Sequence, residues 1–311
     1  NKIMAVLMPA MMIMMNLTSV AIIWFGGIRI DSGKMQVGDM MAFIQYAMQI
    51  MFSLIMVSMM FVMIPRAEAS AVRINEVLDM KPEINDPTEP KNNEKERGYI
   101  EFKDVTFSYP GAEQPAISNI SFSAKPGEIT AIIGGTGSGK STLISLIPRF
   151  YDIDSGSILV DGMDIREMSQ ENLRKKIGFV PQKAVLFTGT ISDNIRYGKE
   201  DANDMEIRHA SEIAQASEFV SNMKEGYDSM IAQGGSNVSG GQKQRLAIAR
   251  ALVRRPEIFI FDDSFSALDF KTDAKLRAAL KSEIKESTAI IVAQRVSTVI
   301  DADRIIVLDE G

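Results

Sequence analysis

The sequence predicts a two-part chain: an α-helical membrane segment followed by an α/β domain built on a parallel sheet. Three observations predict it. Two long stretches near the start, residues 3–28 and 40–64, contain no charged residue. From Gly98 onward, short β-branched runs alternate with helical patterns, the alternation that builds a parallel sheet flanked by helices. One of those runs leads directly into a glycine-rich turn.

At ~1.5 Å per helical residue, each uncharged stretch can cross a hydrocarbon layer of about 30 Å. A signal peptide would be shorter and would end in a small-residue cleavage site. A pair of buried core helices would be shorter and would keep a polar face. The reading is therefore a membrane hairpin, its spans joined by the loop Arg29 to Asp39. Lys2, Arg66 and Arg73 flank its outer ends and favour a cytoplasmic side for them, while Arg29 and Lys34 in the loop weaken that bias. Methionines cluster in the spans, as in Met11-Met12-Ile13-Met14-Met15. Their flexible thioethers suit an adaptable apolar surface, with lipid contact or packing as the plainer reading. Asn16-Leu17-Thr18 fits a glycosylation sequon that is inert within a span.

Beyond Pro65 the pattern turns amphipathic through Ala69, Val72, Arg73, Glu76, Val77 and Leu78, as if the helix continues out of the membrane. Residues 81–97 are charged and punctuated by proline, a composition that builds no core and reads as a linker. The expected organisation is 1–80 membrane segment, 81–97 linker and 98–311 α/β domain. Asn1 is not an initiator methionine, Gly311 closely follows the strand-like run Arg304 to Leu308, and one hairpin is a thin membrane domain. The expectation is a fragment preceded by further spans.

Ile129 to Ile133 reads as a buried strand, and Ser141 to Ile147 as a helix. Between them Gly134-Gly135-Thr136-Gly137-Ser138-Gly139-Lys140-Ser141-Thr142 fits G-x-x-x-x-G-K-[ST], a loop that cradles nucleotide phosphates. Gly134, Gly137 and Gly139 permit the turn and a close approach to phosphate. The backbone N–H groups from Thr136 to Thr142 point at the anion, Lys140 reaches the β- and γ-phosphates, and Ser141 coordinates Mg²⁺. ATP with Mg²⁺ is the expected ligand. Ile258 to Phe261 and Ala289 to Val292 read as fully buried parallel strands. The first ends in Asp262-Asp263, where Asp262 would hold Mg²⁺. No comparable strand run lies between Ser192 and Arg254, and 204–219 is helix-like, so a helical insertion is expected. The net charge of -6 and lack of a basic tract exclude nucleic acid as an expected partner. The absence of cysteine excludes disulfides, cysteine-ligated zinc and thiol catalysis.

With Val238-Ser239-Gly240-Gly241-Gln242 farther along, the order of motifs from Tyr99 to Gly311 resembles the ATP-binding cassette (ABC) family. The resemblance implies an α/β P-loop NTPase domain of ABC type, a RecA-like core with a helical subdomain inserted. It implies that Tyr109 stacks on adenine, and that Gln182 touches Mg²⁺ and senses the membrane domain. Ser239, Gly240, Gly241 and Gln242 match the signature that contacts γ-phosphate across a dimer, with Val238 in place of the usual leucine. Ser266-Ala267-Leu268-Asp269 matches the D-loop. The hairpin followed by Arg66-Ala67-Glu68-Ala69-Ser70-Ala71 looks like the end of an exporter's membrane domain. By this resemblance the chain is part of a multi-pass cell-membrane exporter of small molecules, drugs, lipids or peptides, with its ATP-binding domain in the cytoplasm.

Two positions depart from the family pattern. Efficient hydrolysers carry glutamate after the strand-end aspartate, where this chain has Asp263. The switch region usually reads Ala-His-Arg and here reads Ala293-Gln294-Arg295. The single histidine, His209, lies in the inserted helical part and reads as a surface or packing residue. The resemblance then implies the degenerate half of a heterodimeric multidrug exporter, paired with a second half-transporter whose catalytic residues are intact. A homodimer in which Asp263 suffices is the alternative. A soluble ABC ATPase is disfavoured by residues 3–64.

Overall fold

The computed structural model describes residues 2–91, 97–294 and 299–311, without the side chains of 2–5 and 7. Arg295, the Lys2 side chain and residues 92–96 of the expected linker lie outside the described residues. The chain divides into two units, Asn1–Pro82 and Glu83–Gly311.

The first unit is a helical hairpin, α1 (Lys2–Asp31) and α2 (Val37–Leu78). Both helices are long and apolar enough to cross a membrane. The connection is shorter than the loop expected at 29–39, because α1 keeps its helical hydrogen bonds to Asp31 and α2 begins at Val37. The Asp39 carboxylate accepts the Gln36 N–H at 3.1 Å and so satisfies one orphan donor at the start of α2. At Gly26 an added Cβ would lie 2.9 Å from the Met40 side chain, so the glycine lets the helices approach beside the turn. Pro65 sits inside α2, which runs on to Leu78. Proline removes one helical hydrogen bond there without ending a helix of this length.

The second unit carries two main sheets. β1 (Ile100–Phe107), β2 (Ile117–Ala124), β4 (Ser155–Val160) and β5 (Met163–Asp164) form an antiparallel sheet in the order β2-β1-β4-β5. β3 (Ile129–Gly134) belongs instead to a five-stranded sheet with β6 (Ile177–Val180), β9 (Ile258–Asp262), β10 (Thr288–Val292) and β11 (Arg304–Leu308), in the order β11-β3-β10-β9-β6. Every pairing in that sheet is parallel. β9 and β10 are buried along their whole length, covered on both faces, and so read as near-continuous apolar runs, while the edge strand β11 leaves Ile305 and Val307 exposed. Ile258, Ile260, Ile290 and Val292 face a core shared with Ile100, Phe102, Leu143 and Ile147. Phe259, Phe261, Ala289 and Ile291 face a second core shared with Leu246, Ile248, Leu276 and Leu280.

Helices α3 (Lys140–Leu146) and α4 (Gln170–Lys175) connect the first strands. The insertion follows β7 (Gly189–Thr190): α5 (Ile191–Arg196), α6 (Asp204–Ile213), α7 (Ser217–Ser221) and the short β8 (Met230–Ile231), which pairs with β7. The helix expected over 204–219 is therefore two helices, broken where Gln215 takes a left-handed φ of 56°. Helix α8 (Gly240–Leu252) leads back to β9, and α9 (Phe270–Glu283) lies between β9 and β10.

Candidate functional site

The phosphate-type loop spans the end of β3 and the start of α3. At Gly134 a Cβ would lie 2.2 Å from the Leu308 carbonyl oxygen, and at Gly139, with φ 90°, it would lie 2.7 Å from that of Ala116. Only glycine fits either position. The loop closes on Lys140, whose Nζ donates to the carbonyls of Gly134 (3.0 Å) and Gly135 and to Ser138 Oγ (3.3 Å). An ammonium held only by neutral acceptors is poised to exchange them for phosphate oxygens, a stronger charge-assisted interaction.

Across the loop stand the ends of β9 and β10. Ser141 Oγ donates to Asp262 Oδ1 at 2.9 Å. Burial pushes the Asp262 carboxyl above its ordinary value and the adjacent Asp263 adds to this, while the Ser141 hydrogen bond and Lys140 oppose it. A buried carboxylate beside a hydroxyl supplies the hard oxygen donors that Mg²⁺ takes together with substrate phosphates. Ser141 and Asp262 thus fit the expected metal. The described residues contain no cluster of three or more acidic, histidine or cysteine side chains to cage a metal by themselves.

Asp263 follows with a left-handed φ of 44°, tolerated by aspartate better than by most residues. Its N–H donates to Val292 O at 3.0 Å, and its carbonyl accepts from Ser266 Oγ at 2.8 Å. Two amides converge on its Oδ2: Gln294 Nε2 at 3.0 Å and Gln182 Nε2 at 3.3 Å. His209 is elsewhere, half-exposed on α6 and 3.5 Å from Glu283.

Tyr109 closes the far end. Its hydroxyl lies 3.0 Å from Thr142 Oγ1, and its ring meets those of Phe107 and Tyr151 edge-on, centroids 5.0 and 5.3 Å apart. Tyr109 is 38% exposed, so its ring is accessible from solvent beside the phosphate loop. A single cleft of about 340 Å³ is lined by Tyr109, Thr136, Gly137, Gly139, Lys140, Ser141, Thr142, Gln182, Asp262, Asp263 and Gln294. Ala116 and Val292 also line it. Sequence reasoning passed over both, since an apolar wall residue carries no motif.

The signature residues are not part of this cleft. Ser239 caps α8, accepting from Gln242 N–H at 3.3 Å while its own N–H donates to Gln242 Oε1 at 2.8 Å. The cap leaves Gly240 and Gly241 at an exposed helix start. A Cβ at Gly241 would lie 3.1 Å from Ala267 O. Asp269 caps α9, accepting from Thr272 N–H at 2.9 Å.

A phosphate loop, a strand-end carboxylate pair and a separate capped glycine helix on a RecA-like sheet define an ABC transporter ATP-binding domain. The fold of the chain matches that of about half of an Atm1-family ABC exporter, apolar helices followed by the nucleotide-binding domain. Residues 117–266 match the family profile described as ABC transporter. A solved bacterial Atm1-family ABC exporter with ATP bound superposes with a TM-score of 0.86 at 35% identity, over 99% of this chain and 54% of that one. An uncharacterized ABC transporter ATP-binding protein of Mycobacterium tuberculosis is 48% identical, over 99% of this chain and 53% of its own length. An ATP-dependent lipid A-core flippase of Desulfotalea psychrophila is 39% identical, over 97% of this chain and 53% of its own length. The chain spans about half the length of these curated relatives.

Proposed function

We propose that this chain is part of a subunit of an ATP-driven exporter whose own nucleotide cleft binds ATP and Mg²⁺ but hydrolyses ATP poorly. Lys140 and the loop from Gly134 to Thr142 would hold the phosphates, Ser141, Asp262 and Gln182 would face the metal, and Tyr109 would stack on adenine. Ser239 to Gln242 would complete the site of a second half-transporter, a heterodimeric partner with intact catalytic residues. The assembly would lie in the cell membrane with the nucleotide on the cytoplasmic side, a reading supported by two helices long and apolar enough to span a bilayer. Small molecules of the lipid or multidrug type would be the substrate class, in keeping with the relative described as a lipid A-core flippase.

One observation carries the reading: the Asp263 carboxylate is bound by two neutral amides, Gln182 and Gln294. Neither amide takes up or releases a proton near neutral pH. The shorter aspartate also withdraws its carboxylate by about 1.5 Å from the place a glutamate reaches, and a 1 Å misplacement can cost on the order of 10²-fold in rate. Such a cleft holds nucleotide and stabilises one conformation of the assembly.

The experiment is asymmetric. In the assembled transporter, Ser239→Arg should abolish ATP turnover, since it blocks the partner's site. Lys140→Ala should leave a substantial fraction. Equal loss from both variants contradicts the proposal. A homodimer is the second reading, favoured by the place of Asp263 in the same cleft as Lys140 and Ser141.

A further inference from the structure

Gln244 is a polar side chain where α8 is otherwise apolar. It is 2% exposed, among Leu246, Ala247, Ile248 and Ala251, which are buried with it. Its Nε2 donates to the carbonyl oxygen of Pro181 at 3.1 Å. Pro181 leaves β6, an outer strand of the five-stranded sheet, and directly precedes Gln182. The preceding carbonyl, that of Val180, accepts from buried Ser264 Oγ at 2.9 Å. The two carbonyls leading into Gln182 are thus gripped from two sides: by the segment that follows Asp262 and Asp263, and by α8.

A helix transmits displacement along its axis because its backbone hydrogen bonds are continuous. Gln244 is little more than one turn from Ser239, the cap that presents Gly240 and Gly241. Any shift of the capped end therefore pulls on Pro181, and through it on the amide that reaches Asp263. Proline limits the response, since its fixed φ leaves Pro181 little freedom to absorb the pull.

We propose that Gln244 is a positioning residue: it ties the signature-bearing end of α8 to Gln182, so that the state of one nucleotide site sets the geometry at the other. The proposal rests on the placement of Gln182 at the Mg²⁺ side of the cleft. It holds whether the assembly is a homodimer or a heterodimer.

The test uses the full-length subunit in its assembled transporter and measures the affinity of a fluorescent ATP analogue in Mg²⁺ and in EDTA. The variants are Gln244→Met and Gln244→Leu, neither of which can donate to the Pro181 carbonyl, Gln182→Ala, and each double variant. In EDTA the two Gln244 variants should bind as the unaltered protein does, showing that the fold and phosphate loop persist. In Mg²⁺ each single variant should lose about tenfold in affinity, the scale of an outer contact to a metal site. Because Gln244 acts through Gln182, the double variants should bind no more weakly than Gln182→Ala alone. Unaltered Mg²⁺ dependence in both Gln244 variants overturns the proposal, as does a loss that adds in full to that of Gln182→Ala. If Gln182→Ala itself leaves the Mg²⁺ dependence intact, the placement of Gln182 fails, and the role of Gln244 with it.

Discussion

At Asp263 a left-handed backbone and two amide donors fix a carboxylate one methylene shorter than the family's glutamate. The Asp263 backbone is held by the bond to Val292 and by Ser266, so the reach of the carboxylate is limited to the one methylene of an aspartate. Restoring both departures tests this directly. Asp263→Glu with Gln294→His should raise single-turnover hydrolysis at this cleft by on the order of 10²-fold, and an unchanged rate would show that neither residue limits it. Asp262 makes a separate prediction. Its carboxyl is pushed up chiefly by burial, so without nucleotide its ionised form destabilises the fold. That penalty is absent in acid, where the group stays protonated, and grows as the pH rises through the raised value. In differential scanning calorimetry, Asp262→Asn should melt above the unaltered protein at neutral pH, with the advantage shrinking toward the acid range, while stabilisation by Mg²⁺ and ATP is lost. Most of these residues were legible in the sequence because phosphate binding demands fixed local spacing around Lys140. Gln244, Ser264 and the wall residue Val292 were not, because their roles arise from contacts between segments far apart in sequence.

Among the elements, the parallel strands β3, β9, β10 and β11 were plain from their apolar runs, whereas β6 and the antiparallel sheet were not singled out. Ile100-Glu101-Phe102-Lys103 alternates in burial, with Ile100 and Phe102 inward. That period of two was the available signal, and irregular pairing between Phe102 and Val105 blurs it. The split between α6 and α7 was illegible because Gln215 resembles any helical residue until its φ is known. The two sheets are joined by a small ion cluster. Lys176 at the end of α4 donates to Asp161 Oδ2 at 2.8 Å and to Glu257 Oε2 at 2.7 Å, and Asp161 also accepts the Tyr99 N–H at 3.0 Å. Asp161 is 1% exposed, so removing Lys176 takes the ammonium away from a buried carboxylate. Lys176→Met should lower stability by about 3 kcal/mol, read as a lower urea midpoint with an unchanged slope. A midpoint at the original value would mean that the Lys176 ion pairs contribute nothing to stability.

For the whole molecule, the proposed reading requires a neighbour that does the hydrolysis, since nucleotide binding without efficient turnover cannot by itself drive a cycle. The apolar hairpin supplies the other half of the account. Two helices long and apolar enough to span a bilayer precede the ATP-binding domain, so the full-length protein should stay with membranes through a carbonate wash and leave them only in detergent. The central claim, poor hydrolysis at this cleft and completion of a partner's site, is tested most directly by single-turnover ATP hydrolysis. The full-length chain would be measured alone and then reconstituted with its second half-transporter. The account predicts little hydrolysis alone and sustained turnover when paired. Vigorous hydrolysis by the chain alone would contradict it and establish Asp263 as a sufficient base.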